Sequence, residues 1–140
     1  MTNEKEMIAK NNIFNIRQGA KWQGMTGAKK GFVEFENREY ALRAWLILMR
    51  TYRRRYGCRT VEQIVTRFAP PNENNTARYI SYCRHEMCLE PDATLNFDCE
   101  YIELAAAMAM METGVKLDIG WAYQTMKKFN IQIVKKDGDE

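Results

Sequence analysis

The sequence predicts a mainly α domain of about five helices behind an irregular N-terminal segment, and three observations lead there. Apolar residues recur at three- and four-residue steps through most of the chain after residue 37. Polar caps and glycine or proline stops cut that pattern into segments of helical length. One short run, residues 31–36, alternates like a strand and is too short to define a sheet. At 140 residues the chain is read as a single domain, 1–140, able to bury a core without metal or disulfide staples.

Taken in order, residues 1–10 are a charged lead-in, frayed or forming a short helix. Asn11-Asn12-Ile13-Phe14-Asn15-Ile16-Arg17 mixes asparagines with apolar residues, and residues 18–30 set Gly19, Gly24 and Gly27 around Trp22, which reads as irregular backbone with an aromatic anchor. Residues 37–56 form the longest helix and the expected spine. Leu42, Trp45, Leu46 and Met49 lie on its buried face, Asn37 is its cap, Glu39 is in the first turn, Arg53, Arg54 and Arg55 are in the last, and Gly57 is its stop. Thr60 with Gln63 has capping-box spacing and opens a second helix that stops near Phe68, because Pro70 and Pro71 cannot continue it. A third helix runs over about 75–88, with Tyr79, Ile80, Cys83 and Met87 on one face and Asn74, Asn75 or Thr76 as its cap. Asn96 or Asp98 caps a fourth, whose stripe of Ile102, Ala105, Ala106, Ala109 and Met110 admits a close neighbour and which ends at Glu112-Thr113-Gly114. Asp118 caps a fifth, with Ile119, Ala122, Tyr123, Met126 and Phe129 facing inward, followed by a short apolar segment at 131–134 and a charged tail at 135–140.

Bulk properties narrow the possible partners. A net charge of +3 on near-balanced acids and bases implies no strong polyanion. Arg50, Arg53, Arg54, Arg55 and Arg59 cluster around Tyr52 and Tyr56, but this reads as a solvated helix end, so nucleic acid is not the expected partner. Four cysteines without tight spacing are expected as free thiols, and no apolar signal segment opens the chain, so synthesis in the cytoplasm without a signal peptide is expected. The longest apolar stretch, 104–111, is too short to cross a bilayer, so no membrane insertion is expected.

Two regions are candidates for chemistry. Pro70-Pro71 followed by Asn72-Glu73-Asn74-Asn75-Thr76 makes a rigid polar corner, either a capped turn or a platform for a ligand rich in hydroxyls and amides. Glu112 follows an apolar run in the last turn of its helix, where burial and the helix dipole both raise a carboxyl pKa, as a general acid for glycosidic cleavage requires. Its ordinary alternative is an outward helix-end acid beside Lys116. Glu73 is a second candidate acid, alternatively a first-turn capping group. Cys83, His85 and Cys88 lack common zinc spacing, and no phosphate loop or dinucleotide glycine pattern occurs, so neither metal nor cofactor is expected.

Four blocks in one order then give a resemblance covering most of residues 11–114: the Asn11–Arg17 block; Phe35, Glu39, Tyr40, Arg43 and Ala44; Phe68-Ala69-Pro70 with Glu73-Asn74-Asn75-Thr76 and Tyr79; and Glu112-Thr113-Gly114. The chain resembles a family of small virion proteins of phages and mobile elements that look like lysozyme-like peptidoglycan hydrolases. Ile13, Ala41 and Phe68 stand where that family has proline, glycine and tryptophan. The resemblance implies a lysozyme-like helical domain that cleaves peptidoglycan glycan strands as a muramidase or lytic transglycosylase. Glu112 and Glu73 would be catalytic, and Asn15, Arg17, Asn72, Asn74, Asn75, Thr76 and Tyr79 would bind substrate. Such a protein would be virion-associated or released to the cell wall. The alternative is a non-enzymatic virion component, or a phage factor that binds a host protein. A cleft holding Glu112 near Asn74 or Asn75 favours the enzyme, and a flat apolar patch favours the binder.

Overall fold

The computed structural model describes residues 7–135, so residues 1–6 of the expected lead-in and 136–140 of the expected tail lie outside the described residues. A two-stranded hairpin, β1 (Met25–Lys29) and β2 (Phe32–Phe35), precedes five helices: α1 (Arg38–Tyr56), α2 (Val61–Phe68), α3 (Thr76–Met87), α4 (Asp98–Thr113) and α5 (Ile119–Lys128). The mainly α class and the five helices are as the periodicity indicated.

Helix boundaries follow the local chemistry. Asn37 accepts from the Tyr40 amide and Asp118 from that of Trp121, while Thr60 and Gln63 form the reciprocal capping box. Gly57 and Gly114 close α1 and α4 in the left-handed region, at φ 67° and 73°. The start of α4 differs from expectation: Phe97, not Asn96 or Asp98, holds the N-cap position. Phe97 has no accepting side-chain atom, so the Glu100 carboxylate turns back to accept from the amides of Asn96 and Phe97. Asp98 is used elsewhere, accepting from the amides of Ile133 and Val134 and fastening the segment after α5.

Burial corrects the expected faces. Leu42, Trp45, Leu46 and Met49 of α1 are fully buried as expected. However, α4 is covered on nearly every side, with Tyr101, Leu104, Ala107 and Met108 buried alongside Ile102, Ala105 and Ala109. A helix apolar all round occupies the core, so α4 rather than α1 is the central element. In α5 the inward stripe is narrower than expected: Ala122, Thr125 and Met126 are buried, while Ile119 and Tyr123, 43% and 40% exposed, flank it on the outside.

The N-terminal part is more ordered than its composition indicates. Residues 25–29, expected to be irregular, pair antiparallel with β2 through a two-residue turn. Lys30 at φ 51° and Gly31 at φ 85° give that turn the positive dihedrals of a type I′ hairpin. On the other edge of β2 lies the 10–18 segment, through bonds from the Val33 amide to the Ile16 carbonyl and from the Phe35 amide to the Lys10 carbonyl. Asn12 is fully buried and makes this possible. Its amide donates to the Ile16 and Val33 carbonyls and its oxygen accepts from the Ile16 amide, replacing ladder bonds where the chain turns. Phe14 stacks on Trp45 at 5.3 Å and 20°, fixing the segment to the core.

Candidate active site

The 11–17 segment holds the end of α4. Thr113 donates its hydroxyl to the Ile13 carbonyl at 2.8 Å. Asn15, in the left-handed region at φ 53°, donates its amide to the Glu112 carbonyl at 3.0 Å and to Glu112 Oε1 at 3.1 Å. One side chain therefore satisfies a free carbonyl of the helix end and orients the adjacent carboxyl. Glu112 does not point outward beside Lys116.

Burial raises the Glu112 pKa from its ordinary value, opposed by Tyr79, Asn15 and the positive charge of Arg17. Tyr79 comes from α3 and is itself buried, with its phenol pushed well above its usual pKa by that burial and by the Glu112 charge. Its hydroxyl lies beside the carboxyl without meeting hydrogen-bond geometry, and Asn15 Oδ1 is likewise buried and unpartnered. Cys83, one turn further along α3, is pushed up to about 12 by burial and by the nearby carboxylates of Glu112 and Glu86.

Three adjoining cavities form a cleft around this carboxyl. A small one of about 150 Å³ lies between Asn15, Arg17, Phe68, Asn74 and Glu112. It shares Asn74 and Glu112 with a cavity of about 330 Å³ that Asn75, Arg78, Tyr79 and Tyr82 also line. On its other side it shares Asn15, Arg17 and Phe68 with one of about 320 Å³, walled by Trp22, Leu48, Tyr52, Arg67 and Glu73. Glu112 thus sits in an open groove with Asn74 and Asn75 beside it. A wider recess of about 600 Å³, lined by Ala106, Met110, Leu117 and Ile119 together with Glu86, Glu103 and Lys116, meets the Asn75–Tyr79 cavity at Tyr82.

The site residues named from sequence take different parts. Asn15 is engaged with Glu112. Arg17 pairs with Glu73 at 2.7 Å, and both are substantially exposed. Glu73 lines the aromatic cavity and is absent from the two that Glu112 lines. Asn74 donates to the Pro70 carbonyl and Asn75 caps α3 by accepting from the Arg78 amide, yet both face the groove. Thr76 is buried and donates to the Ala69 carbonyl, a structural use, and Asn72 is exposed and lines none of the three cavities. The second sequence block falls away from the cleft, where Glu39 pairs with Lys128 and Arg43 lies over Phe129.

Trp22 and Tyr52 line the cleft although no sequence pattern marks them as site residues, and Arg67, which opens the 67–79 stretch expected to line a sugar groove, lines it with them. Arg67 sits over the Tyr56 ring at 3.4 Å and the Tyr52 ring at 5.5 Å, a stack between two helices that spacing within either helix does not reveal. The arginine cluster of α1 disperses: Arg53 is buried and donates to the Leu95 carbonyl and the Tyr101 hydroxyl, while Arg54 donates to the Gln132 carbonyl. Among the described residues, no group of three or more His, Cys, Asp or Glu is placed to hold a metal, and all four cysteines are free. No described helix is long and apolar enough to cross a membrane.

No family model matches the chain. It is 32% identical over 127 residues to Protein P5 of Pseudoalteromonas phage PM2, a match covering 86% of this chain and 77% of that protein. With that extent of shared sequence, the chain belongs to a phage protein family, that of Protein P5 of Pseudoalteromonas phage PM2.

Proposed function

We propose that the protein cleaves the glycan strands of peptidoglycan, with Glu112 as the general acid. The observation that carries this reading is a half-buried carboxyl of raised pKa, fixed by Asn15 in the middle of an open groove. Breaking a glycosidic bond requires a proton on the leaving oxygen, and burial shifts the Glu112 carboxyl toward the protonated form that can supply it. Asn74, Asn75 and Arg78 on one side, and Trp22, Tyr52 and Phe68 on the other, provide the polar and stacking groups that a sugar chain needs.

Glu73 is tied to Arg17 at the exposed rim, so its role is to hold that rim rather than to donate a proton. With one carboxyl at the centre, the second half of the reaction falls either to water or to a hydroxyl of the substrate itself, giving a muramidase or a lytic transglycosylase. The two differ in their products, which end in a reducing sugar or an anhydro sugar.

Incubation with purified peptidoglycan and mass analysis of the released fragments tests the proposal. Glu112→Gln is close in shape, so it should fold normally and lose roughly 10²–10⁴-fold in rate. Glu73→Gln should lose far less. No fragments from several peptidoglycan types, or a Glu112→Gln variant as active as wild type, would overturn the reading. A non-enzymatic phage component on this fold would then take its place, with the recess at Ala106, Met110 and Leu117, edged by Glu86, Glu103 and Lys116, as its contact surface.

A further inference from the structure

We infer that Arg67 is an anion anchor that makes the cleft select glycan strands bearing carboxylates over neutral N-acetylglucosamine polymers. The inference rests on the glycan-cleaving reading and adds a substrate class to it.

The geometry around Arg67 is that of a prepared cation. It projects from the last turn of α2 into the cavity walled by Trp22 and Tyr52. Its guanidinium lies over the rings of Tyr56 and Tyr52. Stacking occupies the faces of a guanidinium and leaves its in-plane N–H fork available, in a shape that matches a carboxylate with two parallel hydrogen bonds. Because the rings hold the side chain, less rotamer freedom is lost when a ligand binds.

Charge balance separates Arg67 from its neighbour Arg17. Among the described residues, Glu73 is the only carboxylate lining that cavity, and it is already paired with Arg17 at 2.7 Å. No carboxylate among the described residues pairs with Arg67, which leaves its charge available to a ligand. Arg78 lines the cavity on the far side of Glu112, so a cation flanks the acid on each side. A neutral sugar polymer gains little from such charges, whereas muramoyl residues carry a lactyl carboxylate or a peptide stem ending in one.

The test compares wild type with Arg67→Gln on intact peptidoglycan, on strands stripped of peptide by an amidase, and on neutral chitooligosaccharides. A charge-assisted contact is worth roughly ten- to hundredfold, so the ratio of kcat/KM for peptidoglycan over the neutral oligosaccharide should fall by about that factor. Loss of the Arg67 effect on stripped strands identifies a stem carboxylate as the group held in intact peptidoglycan, and its persistence there shows that the anchor also accepts the lactyl carboxylate that the amidase uncovers. An equal loss on all three substrates, or none on peptidoglycan, overturns the inference. Arg67→Lys keeps the charge without the planar fork and controls for folding, with thermal melting of each variant alongside.

A binding arm separates this inference from the cleavage reading. Tryptophan fluorescence of Glu112→Gln, titrated with a soluble disaccharide-peptide and with a chitooligosaccharide, needs no turnover. Muropeptide binding lost on adding Arg67→Gln supports the anchor even if wild type cleaves nothing. Binding that survives the change, or no binding to either ligand, overturns it.

Discussion

Glu112 and Asn15 show how a single contact sets a titration. The Asn15 amide donates to the carboxylate and so favours its charged form, working against the burial that raises the pKa. Removing that bond should raise the pKa further. A general acid works while protonated, so a higher pKa moves the alkaline limb of the kcat/KM profile to higher pH, even as the maximum falls for want of orientation. Asn15→Gly is the suitable variant because glycine accepts the positive φ at this position and removes only the side chain. A profile scaled down without any displacement of its limb would show that Asn15 does not act on the proton. From sequence Glu112 stands out because a carboxylate ends an apolar run. Its partner does not, because residues 15 and 112 meet only through the fold, and the resemblance alone implies no more than a substrate contact for Asn15.

Among the elements, helices were more legible than the hairpin, and the reason lies in the turn. Caps such as Asn37, Thr60 and Asp118 act within four residues of themselves, so their chemistry is written locally. The hairpin turns on Lys30 and Gly31, and lysine at a left-handed position is not a turn signal. Faces were less legible than boundaries, because α4 is enclosed by its neighbours and no periodicity of its own announces that. The hairpin offers a paired test. A Cβ at Gly24, φ 79°, would overlap the Tyr40 ring, while one at Gly31, φ 85°, meets nothing within 4 Å. Both alanine variants carry a left-handed strain of about 1–2 kcal/mol. Gly24→Ala adds overpacking of about 1–3 kcal/mol, so urea unfolding should find it the less stable of the two. Equal stabilities would mean that Tyr40 moves aside freely.

At the scale of the whole molecule, the core and the cleft share one support. Trp45 is fully buried on α1 and stacks on Phe14, one residue before Asn15 and one after Ile13, which accepts from Thr113. The segment that orients Glu112 is therefore braced by the core rather than by the loop around it. Trp45→Ala should cost roughly 3–5 kcal/mol, as large aromatic truncations do, and should also lower activity through the loosened brace. Trp45→Phe separates the two effects. The indole N–H is buried without a partner, so phenylalanine removes an unsatisfied donor while keeping a ring against Phe14. Its stability should stay much closer to wild type and its fragment release should be preserved. Denaturant unfolding and peptidoglycan digestion on the same preparations check this. A cost below about 0.5 kcal/mol for Trp45→Ala, typical of a surface site, would show that the brace is not there.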